Sequence, residues 1–297
     1  MNMRILCAAA ALTASACASP VLAGQGRIEA EADGIARLRV SVKGGASLLS
    51  FYIGIVELEI VGDGGRGFAL EALSGPRGGT ALSMERVGST IEAVVDLGDY
   101  RFFRMGIGGV EARLYVPEGF SGSIEASVKE GKIVARDLRL DSLAASVDAG
   151  RLELEGVEAR RMTLSTREAS TTILRSSAER GELRSTLGPV RAEGLRGQWT
   201  VETAEGSVGL SMAAGLGPLY VSTTLGKVTL ELPSGEPFLF EADTRLWTPR
   251  VDFPIQSSVV KGFPVDVKRH TGEVGSGGPL MRISTREGGI VVRRASP

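Results

Sequence analysis

Apolar and polar residues alternate along most of this chain, and between residues 124 and 232 the alternation recurs about every 19 residues. Each repeat has a marker position, with apolar or small residues at seven, five and three positions before it and at two and four after it. Strands of period two, nested in a period of 19, predict one coil of a β-solenoid per repeat. The markers are Gly131, Gly150, Ala169, Gly188, Gly206 and Gly226, and the frame returns at Gly288.

Stacking of coils explains why the marker position favours glycine. Strands of successive coils lie about 4.8 Å apart, so a corner that needs a positive φ or a close backbone approach selects glycine in every coil. Ala169 breaks this rule, and we expect its coil to be distorted. A β-sandwich is the alternative fold, but it has no reason to keep the same columns over six repeats. The serines four positions before the marker, such as Ser127 and Ser146, are predicted to face outward.

Residues outside the regular coils 124–232 predict further strands. Short alternating segments occur at 36–42, 68–73, 83–87, 90–95 and 110–116, separated by glycine and proline. Residues 233–278 are rich in aromatic side chains, and we interpret them as irregular coils with a loop near 257–262. A closing coil is predicted at 279–294. Exposed solenoid ends invite aggregation, so we expect a cap to cover them. Residues 24–297 are therefore predicted to form one all-β domain.

The first 23 residues predict a signal peptide. Arg4 precedes a short apolar run, Ile5 to Leu12, that is too short to anchor the chain across a bilayer. Cleavage after Ala23 would release an exported protein. As an alternative, Ala14 to Cys17 resembles a bacterial lipobox, in which Cys17 would carry a lipid anchor. The protein is thus expected in the periplasm or at the cell surface, either secreted or membrane-tethered, without a transmembrane span in the mature chain.

Composition removes several classes of chemistry. Both cysteines, Cys7 and Cys17, lie in the predicted leader, so the mature chain has no disulfide. The chain has 34 basic and 35 acidic residues, which becomes 33 against 35 without Arg4 and does not suggest a nucleic-acid partner. His270 is the single histidine, and its polar neighbours predict an exposed loop or strand edge. Zinc or serine–histidine chemistry would have one candidate residue at most.

Carboxylates are the remaining candidates for catalysis, because some solenoid enzymes that act on polysaccharides use acid clusters. The closest pairs are interleaved with arginines and do not recur at one offset, which favours a solvated face of mixed charge. No catalytic residue, metal site or cofactor is predicted. These pairs are Asp137 and Asp141, Glu153 and Glu155, and Glu202 and Glu205.

Four segments together resemble the bacterial putative-adhesin family, DUF4097. They are the early strand 56–60, the segment Leu114 to Gly119 with its Val-Pro turn, the repeated coil that starts at 127–133, and the closing segment 275–290. The resemblance covers nearly all of the mature chain, and it implies a β-helix and carries over no catalytic residues.

From these patterns we expect an exported, non-enzymatic β-solenoid of the bacterial envelope. It would act as an adhesin, or as a surface-binding or scaffold protein for an unidentified envelope component. Two alternatives remain open: a carbohydrate-active solenoid hydrolase or lyase, and an envelope-stress sensor or scaffold module.

Overall fold

The computed structural model describes residues 22–23, 26–43, 56–74, 80–97, 109–254, 256–260 and 267–295, with backbone only at 22–23 and 257–260. The predicted signal peptide, including Cys17, lies outside these residues apart from the backbone of 22 and 23. The described residues form strands and no helix, so none of their segments is a helix that could cross a membrane.

The 21 strands occupy the following ranges: β1 Leu22–Ala23, β2 Arg27–Glu31, β3 Arg37–Lys43, β4 Val56–Asp63, β5 Gly67–Ser74, β6 Ala81–Val87, β7 Thr90–Asp96, β8 Val110–Pro117, β9 Ser123–Arg136, β10 Arg139–Glu155, β11 Glu158–Leu174, β12 Ser177–Leu187, β13 Val190–Glu205, β14 Val208–Leu225, β15 Val228–Leu232, β16 Phe238–Thr244, β17 Arg250–Val251, β18 Gln256–Val260, β19 Val267–Val274, β20 Leu280–Glu287 and β21 Ile290–Arg294.

The centre of the molecule is a stack of parallel coils. Strand β10 pairs in parallel with β9 on one side and β11 on the other, and the same pattern continues through β12, β13 and β14. Gly150 lies opposite Gly131 in β9 and opposite Ala169 in β11, so each coil advances the chain by 19 residues there. This register is the one expected of a β-solenoid, and the all-β class predicted from the sequence is confirmed.

The predicted apolar columns face the interior of the stack. Around Gly150, the five inward positions are all buried, while the serine column on the same strands is exposed or half-buried, as predicted. Burying one such aliphatic side chain contributes about 1.5–3 kcal/mol, and this term is the main source of stability for the described residues, which contain no cysteine. The five buried side chains are Leu143, Ala145, Val147, Leu152 and Leu154.

The marker residues stack at one corner of the coil. The glycines at 131, 150, 188, 206 and 226 have φ between 124° and 141°, a range that residues with a side chain rarely adopt. A Cβ atom on Gly226 would also lie 2.7 Å from the carbonyl carbon of Gly206 in the coil below. Ala169 does not have a positive φ, so this corner has a different backbone conformation while its strand keeps the parallel register.

The amino-terminal end has an unexpected order of layers. Strand β3 lies between β7 and β9, and β4 lies between β8 and β9. The first coil of the chain is therefore an inner layer, and the later strands β7 and β8 lie outside it. Beyond them, β6 runs antiparallel to β7, β5 runs antiparallel to β8, and β2 runs antiparallel to β5. These antiparallel strands form the cap expected at this end.

The carboxy-terminal end has the same arrangement. Strand β20 lies between β14 and β16, so the coil of Gly288 stacks directly on the coil of Gly226, 62 residues earlier. The interpretation of residues 233–278 as irregular coils is wrong in its order and for the later strands. Strands β16 and β17 do form a coil, but it lies one layer beyond β20 and β21. Strand β19 lies outside β16 and antiparallel to it, and β18 lies outside β19 and antiparallel to that strand. The loop predicted near 257–262 is also wrong over 257–260, which belong to β18.

Two late aromatic residues and His270 are buried in the outer layers of the carboxy-terminal end. Phe238 and Phe253 pack edge to face, with ring centroids 5.1 Å apart, and both are buried. His270 was expected to be exposed but is only 2% exposed, on β19 between β16 and β18. Side chains alternate along a strand, so its polar neighbours face outward, where Arg269 pairs with Asp243, while the imidazole faces inward.

Candidate functional site

A groove lies on the side of the stack between the two predicted strands of each coil. Its floor follows residues 140, 159, 178 and 197, which pair with one another in adjacent coils. The groove has a volume of about 670 Å³ and is open to solvent. Because its floor steps from coil to coil, it runs along the axis of the stack, and we call it the axial groove.

The side chains on the floor of the axial groove become smaller from coil to coil, which leaves more room above the floor toward one end. The floor begins at Leu140, continues with Ala159 and Ala178, and ends at Gly197. Gly197 has a φ of 89°, and a Cβ there would lie 2.8 Å from the carbonyl carbon of Ala178. Glycine is therefore needed at this end of the floor for the backbones to approach.

Two rows of polar side chains border the floor. One row contains Arg139, Glu158 and Ser177, which pair across adjacent coils, and the other contains Asp141, Arg160 and Glu179. Both rows follow from the sequence, since each residue stands immediately before or after a floor residue. The rows offer hydroxyl, guanidinium and carboxylate groups to anything that lies in the groove.

Charges along the groove are compensated between coils. The Arg160 guanidinium lies 2.9 Å from the carboxylate of Asp141 and 3.7 Å from that of Glu179. Arg139 lies 3.3 Å from Glu158. Ion pairs this exposed contribute about 0–1 kcal/mol each to stability, so their side chains remain free to exchange partners with a ligand. The groove is polar on both sides without a strong net charge.

The carboxylate pairs considered from the sequence do not converge on one site. Glu153 pairs with Lys132 at 2.9 Å, Glu155 with Arg136 at 3.5 Å, and Glu202 with Arg184 at 3.1 Å. These contacts join neighbouring coils and form the mixed-charge face that the sequence predicted. Of the three pairs, Asp141 is the one residue that borders the axial groove.

The most deeply buried carboxylate belongs to the same network of ion pairs. Glu59 is 8% exposed and lies between Arg113 and Arg136, which come from the coils on either side. A buried carboxylate needs such partners, because an unpaired charge in the interior would be destabilising by several kcal/mol. Its ion pairs join the amino-terminal coils, and it does not line the axial groove.

Metal binding and histidine chemistry have no support at the groove. Within the part of the chain that the structure describes, no group of three His, Asp or Glu residues could hold a metal ion. His270 lies on β19, outside the groove, and burial and the nearby Lys268 lower the pKa of its imidazole. The polar groups that line the groove are hydroxyls, guanidinium groups and carboxylates.

Sequence reasoning missed the axial groove although a signal was present. The floor residues stand nine positions after Gly131, Gly150, Ala169 and Gly188, and they form a column of decreasing size. The columns next to the floor are polar. These three columns were not noticed because the repeat was defined by the two strands that flank the marker.

Stacked parallel coils with antiparallel strands at both ends define an all-β repeat protein. Residues 94–245 match the Toastrack DUF4097 family model, which is just over half of the chain, and the protein belongs to this family. The family resemblance derived from the sequence is thereby confirmed. No curated protein matches the chain.

Several solved structures are similar over most of the chain. A putative adhesin from Bacteroides fragilis is 7% identical, with a TM-score of 0.44, and the match covers 92% of this chain and 97% of that one. A putative adhesin from Parabacteroides merdae is 10% identical, with a TM-score of 0.41 and coverage of 92% and 96%. A putative cell adhesion protein from Clostridium sporogenes is 10% identical, with a TM-score of 0.27 and coverage of 92% and 100%.

Proposed function

We propose that this protein is an exported, non-enzymatic binding module of the bacterial envelope, which holds an extended polymer of the envelope along the axial groove. The observation that carries the proposal is the groove itself, whose small floor residues are bordered on both sides by polar rows. The β-solenoid supplies a rigid scaffold on which equivalent positions recur in successive coils.

The chemistry of the groove favours a hydroxyl-rich polymer, such as a glycan of the cell envelope. Arginine, carboxylate and serine groups alternate along the rows, so donors and acceptors are both available at each coil. Compensated charges disfavour a strongly charged ligand, whereas sugar hydroxyls can replace water in hydrogen bonds with both signs of charge. An exported location is supported by the predicted leader and is part of the same proposal.

A substitution that fills the groove tests the proposal. Ser177→Trp places a large side chain in one bordering row, and we expect it to reduce binding of the purified protein to isolated cell-wall polysaccharide at least tenfold. Ser165→Trp is the matched control. Ser165 is exposed on β11, in the coil next to that of Ser177, and does not line the groove. Tryptophan is accepted in strands, so both variants are expected to fold. Binding is measured by co-sedimentation and isothermal titration calorimetry.

Three results would contradict the proposal. Both variants could bind as the unmodified protein does, the unmodified protein could fail to bind any envelope polysaccharide, or it could cleave the polysaccharide. Cleavage that is lost on replacing Asp141 or Glu179 would instead establish a carbohydrate-active enzyme.

The form of attachment is tested separately by the mass of the protein recovered from cells. A chain that begins at Gly24 supports release by a signal peptidase. A diacylglyceryl group on Cys17 would instead show that the protein is a lipoprotein.

A further inference from the structure

The two most exposed large apolar side chains among the described residues are neighbours in the chain. Leu246 is 59% exposed and Trp247 is 60% exposed, in the turn between β16 and β17. Single exposed apolar residues are common, but an adjacent leucine and tryptophan is the kind of patch that marks a contact surface. We call residues 245–250 the Leu-Trp turn.

The Leu-Trp turn is fixed at both ends. Thr244, itself buried, donates its hydroxyl to the carbonyl oxygen of Trp247 at 2.6 Å. Pro249 is buried on the other side of the pair, and its ring fixes φ there. The outward position of Leu246 and Trp247 is therefore built into the turn, and it does not result from a frayed chain end.

Three arginine residues lie close to the exposed pair in sequence or in strand register. Arg245 and Arg250 flank it in sequence, and Arg286 follows Thr285, which is paired with Thr244 across adjacent strands. None of these three guanidinium groups forms an ion pair or a side-chain hydrogen bond with a described residue. The acids within two positions of these arginines in the sequence are Asp243, Asp252 and Glu287, and Asp243 is paired with Arg269. This leaves three arginines against Asp252 and Glu287.

We infer that the Leu-Trp turn is a contact site for the surface of a lipid bilayer. Tryptophan concentrates at membrane interfaces because its ring is apolar while its N–H remains hydrated, and leucine can enter the acyl boundary beside it. The surrounding guanidinium groups match the phosphates of lipid headgroups in charge and geometry. One turn of this size supports a weak and reversible contact, which is strengthened by anionic lipid.

The position of the turn is compatible with a second task for the protein. Strand β16 lies beyond β20 at the carboxy-terminal end of the stack, whereas the axial groove lies on the coils of residues 121–197. A bilayer contact at the turn therefore leaves the groove accessible. The inference does not depend on the proposed ligand of the groove.

Fluorescence provides a direct test, because the chain has two tryptophans and Trp199 is fully buried. The unlipidated protein is mixed with vesicles of phosphatidylcholine that contain either no phosphatidylglycerol or about one third of it. We expect co-sedimentation with the anionic vesicles, a blue shift of the emission and quenching by brominated acyl chains. Leu246→Ser and Trp247→Ser should each reduce the bound fraction at least threefold, and Trp247→Ser should abolish the shift.

Leu239→Ser is the matched control, since Leu239 is another exposed leucine, 38% exposed, on the preceding strand β16. It should bind vesicles as the unmodified protein does, and circular dichroism should show that all variants are folded. The inference is overturned if neither type of vesicle binds the protein, or if binding is unchanged in both turn variants. It is also overturned if the turn variants abolish self-association in the absence of vesicles, which would make a second copy of the chain the occupant.

Discussion

Gly181 and Trp199 are neighbours in the core, and the large side chain at one position requires a small residue at the other. They occupy the same inward column in adjacent coils and lie directly opposite each other in the parallel register of β12 and β13. The indole is fully buried, and its N–H donates to the carbonyl oxygen of Arg196 at 2.9 Å. Trp199 can occupy this column because Gly181, in the coil below, contributes no side chain.

The cost of adding one methyl group at Gly181 follows from this geometry. A Cβ would lie 2.5–2.6 Å from two ring carbons of Trp199, where ordinary contacts are about 3.5–4.0 Å, so the ring must move by roughly 1 Å. Overpacking of this kind costs about 1–3 kcal/mol. Gly181 does not have a positive φ, so the backbone accepts alanine. Alanine also reduces the conformational entropy of the unfolded chain, which stabilises the folded protein by about 0.4–1 kcal/mol and offsets part of this cost. We expect Gly181→Ala to lower the free energy of unfolding by about 1–2 kcal/mol.

A double-mutant cycle isolates the contact. Urea unfolding is followed by circular dichroism and by tryptophan emission together, because a stack of coils can unfold in segments. Trp199→Leu alone should destabilise the protein by about 2–4 kcal/mol through loss of buried volume. In that background the alanine fills part of the space, so Gly181→Ala should become neutral or stabilising.

Gly209→Ala is the control, because a Cβ there would meet its nearest atom at 3.9 Å. The reasoning is refuted if Gly181→Ala is as stable as Gly209→Ala, or if its cost is undiminished when Trp199 is replaced by leucine.

Two further predictions concern the corner glycines and the buried histidine. Gly226→Ala should cost roughly 3 kcal/mol or more in urea unfolding, because it combines a φ of 139° with a collision against Gly206, and a cost equal to that of Gly209→Ala would contradict this. Burial lowers the pKa of His270, so the unfolded chain binds more protons below about pH 6.5. Stability should therefore be full above that pH and decline as pH falls toward the lowered pKa, and His270→Gln should flatten the decline in thermal unfolding measured from pH 7.5 to 5.

Much of the central stack could be predicted because its sequence repeats with a short, regular period. Alternation assigns each residue of a strand to the inside or the outside, and the 19-residue spacing assigns each coil to its neighbours. Leu143 and Leu152, for example, lie in the interior as their positions relative to Gly150 require. Family membership followed from the same columns.

The ends of the stack could not be predicted in this way. Nothing in the local sequence of β20 indicates that it lies between β14 and β16, because the pairing of distant segments depends on which strand edges are available in three dimensions. The burial of His270 was missed for a related reason: its polar neighbours in sequence lie on the opposite face of β19. The axial groove was missed for another reason: its floor residues do recur in the period, but they lie outside the two strands by which the repeat was defined.

The layer order at the two ends restricts how proteins of this architecture can change in length. At the amino-terminal end β3 lies between β7 and β9, which both follow it in the sequence, and at the carboxy-terminal end β20 lies between β14 and β16, which both precede it. The first and last coils are therefore already paired on both sides, so a coil added at either terminus would have no free parallel edge to extend. Growth or loss of whole coils is compatible with both caps only between β9 and β14, in steps of about 19 residues. Homologues of different length should therefore differ by whole repeats in the middle of the chain, and the length of the axial groove should vary with their number.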